Sequence, residues 1–302
     1  MRGLTTLAVV AALVAPLVIG SPAQAAKKPV RYPNDGEIKK MRQAVPDKPP
    51  ATPGKPRKVL VWGHMDAHPP NPFAAKLIEI MAAKTGAFEA TVSEDPATLL
   101  PESLEGYDAI VMNNIHRREP FLPADIGKRP KDEQNAARQR VETIKKSIMD
   151  FVRGGRGIAG IHAATAAFQT WAEYGEMIGG YYGGHIFQEV PIKLDEPGHP
   201  LLAMFGGKGF TINDEIYFHR APHDPAKLRI LMRLDLGKMK DPGKRPDKIY
   251  AISWVRPWGS GRIFYCTLGH ASETYWNPPV VRHFLAGIQF AIGDLKAEAD
   301  PR

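Results

Sequence analysis

The chain has 302 residues and a formal net charge of +8 at neutral pH, enough length for one large α/β domain or two small ones. Its basic residues are interspersed with acids, as in Lys128 to Glu133 and Arg138 to Lys146; that is the pattern of solvated helix faces, and no nucleic-acid partner is expected. A single cysteine, Cys266, excludes an internal disulfide, and the lack of a Cys-x-x-Cys-His motif excludes covalently attached haem.

The first 25 residues read as an export signal: Arg2 gives a basic start, Leu4 to Ile19 is almost unbroken apolar sequence, and Ala23-Gln24-Ala25 offers small residues at the spacing a signal peptidase reads. The apolar run is short for a membrane span. A mature protein starting near Ala26, with no membrane span and a periplasmic or extracellular location, is the expectation. Residues 26–57 carry Pro46, Pro49, Pro50, Pro53 and Pro56 and are expected to form an extended arm that resists helix and sheet alike.

From residue 58 the pattern becomes that of a folded domain, expected to run over 58–294 with a tail at 295–302. Residues 58–62 form a short apolar strand that ends in the loop Gly63-His64-Met65-Asp66-Ala67-His68-Pro69-Pro70. A helix is expected over 73–84, with Leu77, Ile78 and Met81 on one face, then strands over 88–93 and 108–113, the second running into Asn114-Ile115-His116. Residues 121–130 are loop-like, an insertion near the candidate site. The clearest helix is 134–153, closed by Gly154-Gly155. A buried strand follows over 157–161, then His162 and a helical pattern to Met177. This alternation predicts an α/β, doubly wound, mostly parallel sheet with helices on both faces. The second half is strand-rich, with 187–194, 215–218, 228–234, 249–254 and 262–267 extended and an amphipathic helix over 278–292.

Ligands collect outside the carboxyl ends of the strands in such sheets. His64, His116, His162 and His270 each follow a strand, which places four histidines at one edge. Imidazole serves there as a metal ligand or as an acid–base group. A divalent ion such as zinc would take His116, His162 and His270, although their dispersal is unlike His-Glu-x-x-His. The segment Gly179-Gly180-Tyr181-Tyr182-Gly183-Gly184-His185 is a tight turn or a loop presenting Tyr181 and His185 to substrate. No Gly-x-Gly-x-x-Gly opens a helix after the first strand, so no nucleotide is expected. In Asn213-Asp214-Glu215-Ile216-Tyr217-Phe218-His219, alternation puts Glu215, Tyr217 and His219 on one face. Glu215 and Tyr217 are then a base with its hydrogen-bond partner, or members of a structural ion pair. Cys266 lies inside an apolar strand and reads as core. Tyr275 and Trp276 offer an aromatic platform for a sugar. The candidate catalytic set is His162, Glu215, Tyr217 and His270; His64, Tyr181, His185, Tyr275 and Trp276 are the candidate substrate contacts.

Together these motifs resemble the ThuA-like (trehalose-utilisation) family of the class I glutamine-amidotransferase-like fold. The resemblance rests on Val61-Trp62-Gly63-His64, the 157–162 strand and turn, Gly179 to His185 with Gly198-His199-Pro200, Asp214-Glu215-x-Tyr217, and Gly261-Arg262 through Gly269-His270. In working amidotransferases a nucleophilic cysteine follows the central strand; the matching stretch here is Gly160-Ile161-His162-Ala163-Ala164. An imidazole cannot stand in for the thiolate, and His270-Ala271-Ser272-Glu273 is one residue longer than the usual His-x-Glu, so glutaminase activity is not expected. The resemblance implies a small carbohydrate as substrate and a sugar oxidoreductase making 3-keto sugars as a pathway partner. A 3-keto group acidifies the C2 proton and opens glycoside cleavage by elimination. The competing expectation is a non-catalytic carbohydrate-binding or scaffolding protein; several titratable groups together favour catalysis.

Overall fold

The computed structural model describes residues 29–302; the expected export signal lies outside them. Nine strands form one sheet in the order β2-β1-β3-β4-β9-β8-β7-β5-β6. Strands β1 (Lys58–Trp62), β2 (Glu89–Ser93), β3 (Ala109–Asn113), β4 (Gly157–Ile161) and β9 (Gly261–Cys266) are mutually parallel. Strands β5 (Tyr181–Leu194), β6 (Phe210–Arg220), β7 (Arg229–Leu234) and β8 (Ala251–Trp258) extend the sheet antiparallel. The expected doubly wound α/β fold, with its strand-rich second half, is what the structure shows.

Side-chain alternation along the parallel strands feeds two cores. Val59, Val61, Ala159, Ile161 and Phe264 face α1 (Asp35–Ala44), α2 (Asn71–Thr85) and α6 (Pro278–Ile292). Leu60, Trp62, Ile158, Ile263 and Tyr265 face α3 (Pro101–Leu104), α4 (Lys131–Arg153) and α5 (Ala172–Ile178). The chain passes from β1 to β2 on one side and then crosses to β3 on the other. The order therefore reverses at β1, and a crevice opens beyond the ends of β1 and β3.

Three expectations need correction. The arm at 26–57 is not extended throughout: α1 starts at a capping box in which Asn34 accepts from the Glu37 amide and Glu37 from that of Asn34. Its Met41 and Ala44, with Val45 beyond, are buried in the first core, so tertiary packing outweighs the flanking prolines. Residues after His162 make one tight turn to Thr165 before α5 begins at Ala172, not a continuous helix. The glycine-rich loop is the start of β5, with a bulge between Tyr182 and Gly184 that absorbs its extra residue. The tail is also docked: Leu295, Ala297 and Ala299 pack on the first core.

The antiparallel half positions the site. Although β6 is last in the hydrogen-bonded order, the β5–β6 hairpin curls back until β6 meets the end of β9. There the Tyr217 amide donates to Thr267 Oγ1 at 3.2 Å, and the Asp214 carboxylate reaches the backbone at 269–271.

Candidate functional site

His162 occupies the turn after β4, with φ of +44°. A non-glycine residue there costs on the order of 1 kcal/mol and persists where the surroundings hold it. Gly160 lets the turn close, because a Cβ at that position would come within 3.0–3.2 Å of Tyr265, Ile178 and Ala164. The His162 side chain is wholly buried. Its Nδ1 lies 2.6 Å from the Thr267 carbonyl oxygen, which can only accept, so Nδ1–H donates there and Nε2 faces the interior of the site.

Around His162 Nε2 stand a carboxylate and two further imidazoles. Glu215 Oε2 lies 3.2 Å from His162 Nε2 and 3.1 Å from His270 Nδ1, and Glu215 Oε1 lies 3.3 Å from His185 Nε2. His68 packs edge-on to His270 and tilted against His162, with ring centroids 4.9 and 5.3 Å away. His68 Nδ1, His162 Nε2 and His270 Nδ1 are all buried without a hydrogen-bond partner, since the close approaches to Glu215 lack hydrogen-bond alignment. One ligand atom from each of His68, His162, Glu215 and His270 lies within 4.8 Å of all the others. This histidine–glutamate cluster can hold a metal ion.

Charge is distributed accordingly. Burial, then the neighbouring imidazoles of His162, His270 and His116, push His68 down to about 2, so its ring is neutral. Burial opposes ionisation of Glu215, yet the adjoining His162 and His270 outweigh it and hold the carboxyl well below the usual range. The same carboxylate raises His270 against the effect of its burial. Burial, then the Glu215 charge, push the Tyr217 phenol far above its ordinary value; its ring lies 4.3 Å from that of His162 and acts as a neutral wall.

The loop bearing His270 is clamped by a buried carboxylate. Asp214 accepts from the amides of Gly269 (2.8 Å), His270 (3.0 Å) and Ala271 (2.7 Å) and from the Thr274 hydroxyl (2.8 Å). Strand alternation thus sends Glu215 into the cluster and its neighbour Asp214 to the backbone that carries His270.

Of the expected site residues, His162, His185, Glu215, Tyr217 and His270 come together. His64 does not: its Nε2 meets the Pro120 carbonyl at 2.8 Å and its Nδ1 faces Glu94. The loop after β1 instead delivers His68, four residues on. His116 is not among the converging ligand atoms; it is exposed and stacks on His68 at 5.0 Å. Tyr181 is buried, its hydroxyl donating to the Phe168 and Trp171 carbonyls. Its neighbour Tyr182 takes the site position, hydrogen-bonded to His185 Nδ1 at 2.7 Å. Tyr275 is fully buried and donates to the Gly269 carbonyl, and Trp276 packs against the first core, so neither is a platform. Phe187, 53% exposed with its ring 5.6 Å from His270, is the aromatic at the rim. His68 was legible as a second histidine in its loop. Asp214 was legible only as part of the Asp214-Glu215-x-Tyr217 motif, without a role, and Phe187 gave no signal that separates it from an ordinary strand residue.

Cys266 is buried in β9, and burial pushes its thiol up to about 12, leaving no thiolate. Glu273 is exposed and pairs with Ser272 at 3.3 Å.

An open α/β sheet of this order, with a positive-φ residue in the turn after its central strand, defines a protein of the class I glutamine-amidotransferase-like fold, with a histidine where the thiol would stand. The chain belongs to the ThuA family, described as trehalose utilisation, whose profile matches residues 58–291. It is similar to a ThuA-like protein from Bacteroides uniformis, 19% identical with a TM-score of 0.56, over 80% of this chain and 93% of that one. A ThuA-like protein from Parabacteroides merdae matches at 15% identity and a TM-score of 0.56, over 82% of this chain and 98% of that one. At these identities the likeness shows the fold. No curated protein matches the sequence.

Proposed function

We propose that this protein is an exported carbohydrate-active enzyme in which His68, His162, His270 and Glu215 hold a divalent cation, zinc or a similar ion. The observation that carries the reading is the convergence of three buried imidazole nitrogens on one carboxylate, with His68 Nδ1 lacking any partner and those of His162 and His270 meeting only Glu215. The unpartnered His68 nitrogen costs about 1–3 kcal/mol while unsatisfied, and one cation satisfies it together with the other two. Three imidazoles and a carboxylate suit zinc or another borderline ion.

A cation held by these four side chains would supply Lewis acidity toward a substrate carbonyl. The substrate class is a 3-keto-glycoside or disaccharide, made by a partner sugar oxidoreductase and cleaved or isomerised here. His116 stands outside the ligand set, exposed and stacked on His68, and takes the C2 proton. As the glycosidic C1–O bond breaks, the hydrogen-bonded His185–Tyr182 pair gives a proton to the departing oxygen. Tyr217 walls off His162, and Phe187 at the rim offers a face for a sugar ring. The buried Cys266 and the histidine at the turn argue against glutamine amidotransfer.

Metal analysis of purified protein should find about one equivalent of a transition metal, removable by chelation. Turnover of a 3-keto-disaccharide should vanish on chelation and return on adding zinc. Protein that cannot be loaded with any divalent ion overturns the metal centre. Sugar binding without turnover by the loaded protein establishes the carbohydrate-binding alternative instead. Export is tested by N-terminal sequencing of secreted material, expected to start near Ala26.

A further inference from the structure

Beside the histidine cluster lies a second cavity of 590 Å³, lined by His116, Arg118, Gln169, Thr170, Tyr182 and Arg220 among others. It adjoins the cluster through two contacts: His116 stacks on His68, and the Tyr182 ring packs 4.6 Å from Tyr217. Its volume falls in the range of small-molecule sites.

Its charge is one-sided. Among the described residues, no aspartate or glutamate lines it. The neighbouring Arg117, by contrast, is matched to the Asp66 carboxylate. Arg118 is exposed and makes no hydrogen bond or ion pair among the described residues. Arg220 donates to the neutral Gln169 side chain at 2.9 Å and lies over the Tyr181 ring at 5.4 Å, which orients its guanidinium. Four of its five N–H donors remain for a ligand. Two arginines without acidic partners, flanked by the Thr170 hydroxyl, match an oxyanion in charge and in planar donor geometry.

We propose that the substrate of the histidine centre carries an anionic group, a carboxylate or a phosphate, which Arg118 and Arg220 hold in this cavity. The substrate class becomes an acidic sugar, a uronate or a sugar phosphate, whose reacting carbons lie on the His116 and Tyr182 side. The inference rests on the reading of the cluster as a carbohydrate site and narrows it. The anion fixes which end of the sugar faces the cluster, because only one end of the combined site is uniformly basic.

The test is calorimetric binding of glucuronate, glucose 6-phosphate and neutral glucose to metal-loaded full-length protein, repeated with Arg118→Ala, Arg220→Ala and the double variant. At least one anionic sugar should bind about tenfold or more tightly than glucose, and each substitution should remove about tenfold of that preference. Glucuronate and glucose 6-phosphate in separate arms distinguish a carboxylate from a phosphate. Equal binding of neutral and anionic sugars, or a preference that survives the double substitution, overturns the proposal. Arg118→Ala breaks no hydrogen bond or ion pair among the described residues, so it alone decides the matter should Arg220→Ala fail to fold. Metal content and 3-keto-disaccharide turnover, measured on the same samples, separate failure of the centre from failure of the subsite. Arginine-dependent anion binding by inactive protein sinks the former, and turnover of neutral substrate without any anion preference sinks the latter.

Discussion

Replacing Asp214 by Asn tests whether one buried carboxylate holds the His270 loop in place. Asp214 is fully buried, and its oxygens accept from three loop amides, the Thr274 hydroxyl and the Glu215 amide. Asparagine keeps the shape but replaces one acceptor oxygen with a donor. With the amide nitrogen at the Oδ2 position, the Gly269 N–H loses its partner, while the Thr274 hydroxyl rotates to accept. One orphaned buried N–H costs about 1–3 kcal/mol, and the bonds that remain lose the advantage of an ionised acceptor, about 1 kcal/mol each. After relaxation the expected destabilisation is about 3–4 kcal/mol, read from urea unfolding of the metal-free protein. A displaced His270 should also weaken zinc binding by about tenfold or more, measured by competition with a chromophoric chelator. A variant within about 1 kcal/mol of wild type, with unchanged zinc affinity, would refute the clamp.

The two histidines of the β1 loop should behave differently: His68→Ala should lower zinc affinity at least about 100-fold and His64→Ala leave it within about threefold, and equal losses would count against the ligand set. Cys266→Ser should cost about 1–2 kcal/mol in thermal unfolding, through a polar group placed in the core, yet leave metal content and turnover intact; an inactive folded variant contradicts the assignment. His223 is pushed down by burial from 6.5 to about 4, its Nδ1 donating to the Gly179 carbonyl. The unfolded chain therefore binds the extra proton first, and stability falls as the pH drops from about 6.5 toward 4, by about 2 kcal/mol at pH 5. His223→Gln should shrink the difference between urea midpoints at pH 7 and pH 5 accordingly; an identical difference in both proteins would rule this out.

Much of the architecture is local in origin and therefore legible in the chain. Short apolar runs alternating with amphipathic stretches specify β1, β3, β4, α4 and α6, because a parallel strand buried on both faces has few other ways to satisfy its side chains. Parallelism then carries the ends of β4 and β9 to one side, which is why His162 and His270 could be placed together. α1 also has a local signal, the Asn34 to Glu37 capping box, although the prolines after it give the segment the composition of an extended arm. What the chain alone left open depends on contacts between residues far apart in it. The β1 loop offers His64 and His68 equally to sequence, and the stacking of His68 against His116 and His270 is what selects it. The curl of the β5–β6 hairpin brings Glu215 to His162 and Asp214 to the backbone at 269–271. Alternation says which residues share a face of a strand, but only packing decides what that face meets.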